Sequence, residues 1–189
     1  TCALPISSAL AGTSMSHILR YSGVSAGGLT LTASARFGGT CATSLAPGFR
    51  RYRCCATLRP VSFRSRASDG VGAIARATAR DARLLAAAGY DLVIVENFGD
   101  APFFRDAVPA ITIAAMTSCA LAVREACPQL PLGINVLRND ALAALSIAVA
   151  VGASCVRVNV LSGARVTDQG VIEGRAAELL RLRRELTGE

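Results

Sequence analysis

At 189 residues and 52% hydrophobic content the chain can bury one substantial core, and its formal charge of +7 is unevenly spread. Before Asp69 there are eight arginines and no acidic residue, a charge of +8; from Asp69 onward twelve arginines face thirteen acids, a charge of −1. That distribution excludes a nucleic-acid-binding face, which would be basic on a folded scaffold with aromatic or amide partners, and no charge-free apolar run is long enough for a transmembrane helix.

Residues 1–68 carry short apolar pieces, such as Leu29-Thr30-Leu31-Thr32, broken by Gly, Ser and Arg. No helical or strand period lasts two turns, so this stretch is expected to be largely unstructured. Three readings compete: an organelle transit peptide, by its Arg- and Ser-rich, acid-poor composition; a disordered basic tail; or text read out of frame from a GC-rich gene, as the absence of lysine and the opening TCALPI suggest. Four of the seven cysteines (Cys2, Cys41, Cys54, Cys55) and the only histidine, His17, fall here. With no C-x-x-C pair, neither a metal site nor a disulfide framework is expected, and Cys119, Cys127 and Cys155 read as reduced thiols in apolar contexts.

From Asp69 the pattern becomes regular. Asp69 is positioned to cap a helix whose apolar face is Ile74, Thr78, Leu84, Leu85 and Ala88, with Gly89 ending it. Asp91–Val95 reads as a strand apolar on both faces, as in a helix-covered parallel sheet. Asp106 or Pro109 opens a second helix running to about Ala126 and stopped by Pro128. Leu132–Leu137 is the next strand, Asn139-Asp140 cap a helix from Ala141 to Val151, and Gly152 closes it. Ser154–Val160 is a third strand, the stretch SGARVTDQG (162–170) a polar loop, and Arg175–Leu186 a last helix with Leu179, Leu180, Leu182 and Leu186 available for packing.

The order αβαβαβα predicts an α/β fold with parallel strands and right-handed crossovers. GYDLVIVEN (89–97) aligns with GASCVRVNV (152–160), a faint repeat that fits a barrel better than a doubly wound sheet. A complete (β/α)8 barrel takes about 250 residues, so the division expected is a leader over 1–68 and a partial TIM-barrel-like domain of about three β/α units over 69–189.

Sites in such folds form where the strands end at their C-terminal side. All three strands end in polar residues: Glu96-Asn97; Asn135 followed by Arg138-Asn139-Asp140; and Arg157 with Asn159. A period of two would let Glu96, Asn135 and Asn159 ring one mouth. Arg157, in mid-strand, needs a carboxylate or ligand partner, and Glu96 is the natural one. Asn139-Asp140 also read as a helix cap, Asp100 and Asp106 as turn or cap residues, and Phe103 and Phe104 as packing residues. The glycine-flanked loop could hold phosphate on its backbone N–H groups but lacks P-loop spacing. With no histidine or lysine after residue 68, acid–base chemistry falls to Glu96, Asp100, Asp140 or Asp168.

The strings VIVENFGDAPFF, GINVLRNDALAAL, VRVNVLSGARVTDQGVIEG and RAAELLRLRR, in this order, resemble the BtpA/SgcQ family from about Ala67 to Glu189. The resemblance implies a TIM-barrel-like (β/α)8 fold in a family named for a factor of photosystem I biogenesis. Other members are thought to be enzymes, with sugars or nucleosides as substrates. Carried over position by position, the motif residues are Glu96, Asn97, Gly99, Asp100, Asn135, Arg138, Asn139, Asp140, Asn159, Thr167, Asp168, Gln169 and Gly170. Glu96 and Asp168 are the candidate catalytic carboxylates. Asn97, Asp100, Asn135, Arg138, Asn139, Asp140, Arg157, Asn159, Thr167 and Gln169 are the candidate substrate contacts. The cofactor, a small-molecule ligand, peripheral membrane association and oligomer formation stay open, in a cytoplasmic protein, or a plastid or thylakoid-peripheral one if the leader is a transit peptide. The family's first strand, with its His-Leu-Pro-Pro-like loop, is not supplied by RPVSFRSRASDG, and family members continue past a helix like Arg175–Glu185. Both departures lead us to expect a fragment with open sheet edges, marginally stable alone.

Overall fold

The structure is a computed structural model and describes residues 16–20, 31–34, 55–58 and 70–187. Most of the 1–68 leader, with Cys2, Cys41 and Cys54, and the Asp69 cap therefore lie outside the described residues. Within the leader there are three short strands, β1 (Ser16–Arg20), β2 (Leu31–Ser34) and β3 (Cys55–Leu58). Segments of four or five residues are too short to leave the period on which the sequence reading rests.

Helix α1 (Gly70–Ala87) buries Ile74, Ala75, Thr78, Ala79 and Ala82 at helical spacing. Leu84, expected on this face, is instead 69% exposed. At 3.6 residues per turn it falls on the far side from Ile74, Thr78 and Ala82, whereas Leu85 falls beside them and packs on the core. The helix ends in a Schellman pattern: Tyr90 N–H donates to the Leu85 carbonyl and Gly89 N–H to Ala86, with Gly89 at φ 83°.

Strand β4 (Leu92–Glu96) is buried throughout, and a single 3-10 turn (Phe98–Asp100) follows it. Helix α2 (Ala110–Ala126) starts after Pro109, whose carbonyl accepts from Thr112 N–H. Strand β5 (Leu132–Asn135) leads to α3 (Ala141–Val151), capped by Asp140 and closed by left-handed Gly152. Strand β6 (Cys155–Val158) comes next. The stretch read as a polar loop is instead a β-hairpin, β7 (Ala164–Thr167) with β8 (Gly170–Glu173), turning at Asp168-Gln169. Its strands are mostly exposed, so they leave no buried period in the sequence. Helix α4 (Ala176–Thr187) completes the described chain.

The main sheet has the order β2-β1-β6-β5-β4-β3. Strands β3 to β6 are parallel and succeed one another in one direction, whereas β1 pairs antiparallel with β6, and β2 with β1. Each helix packs on the next, α1 on α2, α2 on α3 and α3 on α4, while α2 and α3 also lie on the strands. Right-handed crossovers with this strand order put α1, α2 and α3 in one layer. Val93, Val95, Leu132, Ile134, Val136, Val156 and Val158 join the helices in one core. The alternate residues (Ile94 and Glu96, Gly133 and Asn135, Cys155 and Arg157) point to the opposite face.

That second face is built in rows. Gly133 is registered with Ile94 on one side and Cys155 on the other. A Cβ on Gly133 would lie 2.9 Å from Cys155 Sγ and 3.0 Å from Ile94 Cγ1, so any larger residue would force these two side chains to shift. The apolar row of Ile94, Gly133 and Cys155 is the floor beneath the polar residues that follow it.

Candidate functional site

One step beyond that floor, Glu96 is registered with Asn135. Asn135 Nδ2 donates to Glu96 Oε2 at 2.9 Å, and Arg157 Nη1 donates to the same oxygen at 3.4 Å. The Glu96 side chain is 4% exposed and that of Arg157 18%, so this is a buried, hydrogen-bonded ion pair. The partnership expected from the strand positions is therefore present.

Asn135 is 1% exposed and its Oδ1 has no hydrogen-bond partner. Asn159, on the same face of the next strand's continuation, donates from Nδ2 to the Arg138 carbonyl at 2.7 Å, and its Oδ1 is likewise buried and unpartnered. Neither amide can be turned over: each Nδ2 faces an oxygen, and the reverse orientation would set oxygen against oxygen. Glu96, Asn135 and Arg157 thus form one hydrogen-bonded group at the strand ends, and Asn159, just past β6, is tied to the Arg138 carbonyl.

The other asparagines have a different task. Asn97 receives a hydrogen bond from Leu137 N–H at 2.7 Å and donates to the Leu137 carbonyl at 3.3 Å. Asn139 does the same one strand later, accepting from Val160 N–H at 2.8 Å and donating to the Val160 carbonyl at 2.9 Å. Each side chain therefore extends the sheet ladder beyond the last backbone pair. Asp140 caps α3 through Ala143 N–H at 3.0 Å and ties down the preceding loop through Val108 N–H at 2.9 Å. Asn97, Asn139 and Asp140, read from sequence as substrate contacts, are occupied in holding the strand-end loops. Asp100 stands beside Asn97 Nδ2 at 3.4 Å.

Arg138 reaches across to the hairpin. Its Nε donates to Gln169 Oε1 at 3.0 Å, its Nη2 to Asp168 Oδ1 at 2.5 Å, and its guanidinium lies 5.4 Å from the Phe103 ring centre. Thr167 Oγ1 accepts from Gln169 N–H at 3.2 Å and donates to the Gly170 carbonyl at 3.0 Å, shaping the turn. The Arg138 guanidinium holds the Asp168 carboxyl below its ordinary range, with a further contribution from Gln169. Asp168 is 61% exposed at the hairpin tip, so the two candidate carboxylates sit in different settings: Glu96 buried, Asp168 open to solvent and paired.

Phe103 is a residue that sequence reading took only for packing. It stacks under Arg138 and, with Phe104, Val108, Ile111 and Leu137, lines an apolar cavity of about 270 Å³ beside Asn97 and Asp100. A polar cleft of about 410 Å³ lies between Asp106, Asn139, Glu173 and Arg175. The Gly133 floor was also missed, although a lone glycine inside an apolar strand is the usual mark of close approach. Burial raises the Cys119 thiol, opposed by a hydrogen bond with Thr78, and suits a packing residue between α1 and α2. Among the described residues no cluster of three or more metal-ligating side chains occurs, and no helix is long and apolar enough to cross a membrane.

The BtpA family matches residues 54–189, beginning before the Ala67 from which the resemblance was read and including β3. An uncharacterised protein of Methanocaldococcus jannaschii is 49% identical over 129 residues, covering 68% of this chain and 49% of the relative. An uncharacterised protein of Thermococcus kodakarensis is 53% identical over 116 residues, 61% of this chain and 44% of the relative. The photosystem I biogenesis protein BtpA of Synechocystis is 47% identical over 132 residues, 70% of this chain and 46% of the relative. The matched part of the chain thus spans about half the length of these curated relatives. No solved structure matches the chain significantly.

Proposed function

The chain belongs to the BtpA family, and from that membership we propose that its strand ends form part of the small-molecule site of an enzyme, with Glu96 as general acid/base. The observation that carries this reading is the buried Glu96, gripped by Asn135 and Arg157 on the sheet face away from the helices. A carboxylate fixed in that way can exchange a proton with a bound hydroxyl or amine while its neighbours hold its orientation. The one-directional order of β3 to β6 under a single helix layer supports reading them as an arc of a (β/α)8 barrel, whose mouth is where such a group works. In this scheme Asp168 is a positioning residue. It holds Arg138, whose carbonyl in turn accepts from Asn159.

Sugars and nucleosides, free and phosphorylated, are the compounds to screen for binding and turnover. Glu96→Gln keeps the shape and an acceptor oxygen but removes the titrating carboxylate. Turnover should drop by at least a hundredfold while ligand binding changes far less. Equal turnover in the wild type and Glu96→Gln would remove Glu96 from the chemistry.

The name of the Synechocystis relative favours a second reading, a scaffold for photosystem assembly. The archaeal relatives are equally similar to this chain, which supports a role independent of any photosystem.

A further inference from the structure

Resting on that reading of the strand ends, we propose that they recognise an uncharged group with two hydrogen-bond donors, a hydroxyl pair, rather than a phosphate or carboxylate. The argument comes from which atoms lack partners. Asn135 Oδ1 and Asn159 Oδ1 are both buried and unpartnered, and both are acceptors. A native protein rarely leaves such atoms unsatisfied, because each then gives up water without gaining a partner. The amide orientations are fixed by Glu96 Oε2 and by the Arg138 carbonyl, so rotation cannot turn either acceptor into a donor.

Charge leads to the same class. Arg157 pairs with Glu96, so among the described residues these two side chains add no net positive charge to attract an anion. A phosphate placed here would meet two amide oxygens and a carboxylate, with the Arg157 guanidinium already paired to that carboxylate. An ammonium would find acceptors but no net negative charge. Two hydroxyl protons would satisfy both oxygens, and Glu96 would be near enough in the same row to act on a hydroxyl. Asn135 ends β5 and Asn159 directly follows β6: the β5–β6 register, continued upward, sets Asn135 beside Arg157 with Asn159 two residues further along the chain. The apolar floor of Ile94, Gly133 and Cys155 closes the other end, so the group would be met from the mouth side.

The test is calorimetric titration of the full chain with D-ribose, D-xylose, myo-inositol and adenosine, and with inorganic phosphate, acetate and ethanolamine as the charged probes. We expect at least one polyol to bind and its analogue lacking one hydroxyl to bind tenfold or more weakly, because a buried acceptor is then left open again. Asn159→Leu should bind that polyol and its deoxy analogue with nearly equal affinity, a loss of discrimination that mere loosening of the fold would not produce. If the variant does not fold, the deoxy comparison on the wild type still decides. Binding of phosphate, acetate or ethanolamine without any polyol would overturn the hydroxyl assignment while leaving the Glu96 site standing. If no probe of either class binds, the hydroxyl assignment falls, and the Glu96 site falls with it if turnover is also absent.

Discussion

Glu96 and Arg157 depend on each other because both are largely removed from water. Their Coulomb attraction offsets a desolvation cost of several kcal/mol per ion, and Asn135 adds a hydrogen bond to the same oxygen. Removing one partner is therefore worse than removing both. Arg157→Leu takes the paired cation from a buried carboxylate and should lower unfolding free energy by about 3 kcal/mol. The double change Glu96→Leu with Arg157→Leu should recover part of that loss, since two apolar side chains then meet over the Ile94, Gly133 and Cys155 floor while Asn135 Nδ2 loses its acceptor. Urea denaturation of the four proteins in the cycle gives the coupling. Additive losses would mean that the two side chains do not form a unit in solution, and the site as drawn here would lose its centre. The same cycle bears on function: a site kept for binding sacrifices stability that the apolar pair would return.

At the scale of elements, the hairpin β7–β8 is tied toward the strand ends by one residue, Arg138, which contacts Asp168, Gln169 and the Phe103 ring at once. Because Arg138 depresses the Asp168 carboxyl, this tie is fully present above the ordinary carboxylate range and is lost as pH falls through the lowered folded value. An NMR titration of the Asp168 side chain should show its midpoint below the ordinary range, and Arg138→Ala should return it there. An ordinary midpoint in the wild type would mean that the latch is open in solution. The hairpin also marks the limit of what the sequence discloses. Helices α2 and α3 were legible because Pro109, Pro128, Asp140 and Gly152 mark their ends, and β4 because five apolar or strand-end residues run between turn signals. The hairpin was not, since its strands bury almost nothing and only Gly170 at φ 93° hints at the tight turn. Within the site, Glu96, Asn135, Arg157 and Asn159 were legible as strand-end polar residues in period-two positions. The separate roles of Asn97 and Asn139 were not. Their partners are backbone atoms of Leu137 and Val160, and no pattern of residue types records a contact to a backbone carbonyl on the next strand.

For the whole molecule, the question is where the family domain begins within the chain. The sequence offered Asp69, because regular periodicity starts there. The family match starts at residue 54, and β3 pairs in parallel with β4 from Cys55 opposite Leu92 to Leu58 opposite Val95. Residues 55–58 therefore extend the sheet on the side of β4 away from β5. Removing them would open the backbone of a fully buried strand, an edge with unpaired N–H and C=O groups and a known route to aggregation. Residues 1–53 lie outside the match, although β1 borders β6 at the other edge of the sheet. Two truncations separate these contributions. Deleting 1–53 should preserve a cooperative thermal transition close to that of the full chain, whereas deleting 1–68 should lower its midpoint by several degrees and promote aggregation. A domain of this size shifts by roughly 4 °C for each kcal/mol lost, so the absence of one four-residue strand is well within reach of calorimetry. If the two truncations melt alike, β3 contributes nothing and the domain begins at Asp69. If deleting 1–53 alone abolishes the transition, β1 completes the sheet as an antiparallel neighbour of β6. Such an edge interrupts the parallel succession of strands that a barrel requires, and the barrel reading of the strand-end site would have to be replaced by that of an open, mixed sheet.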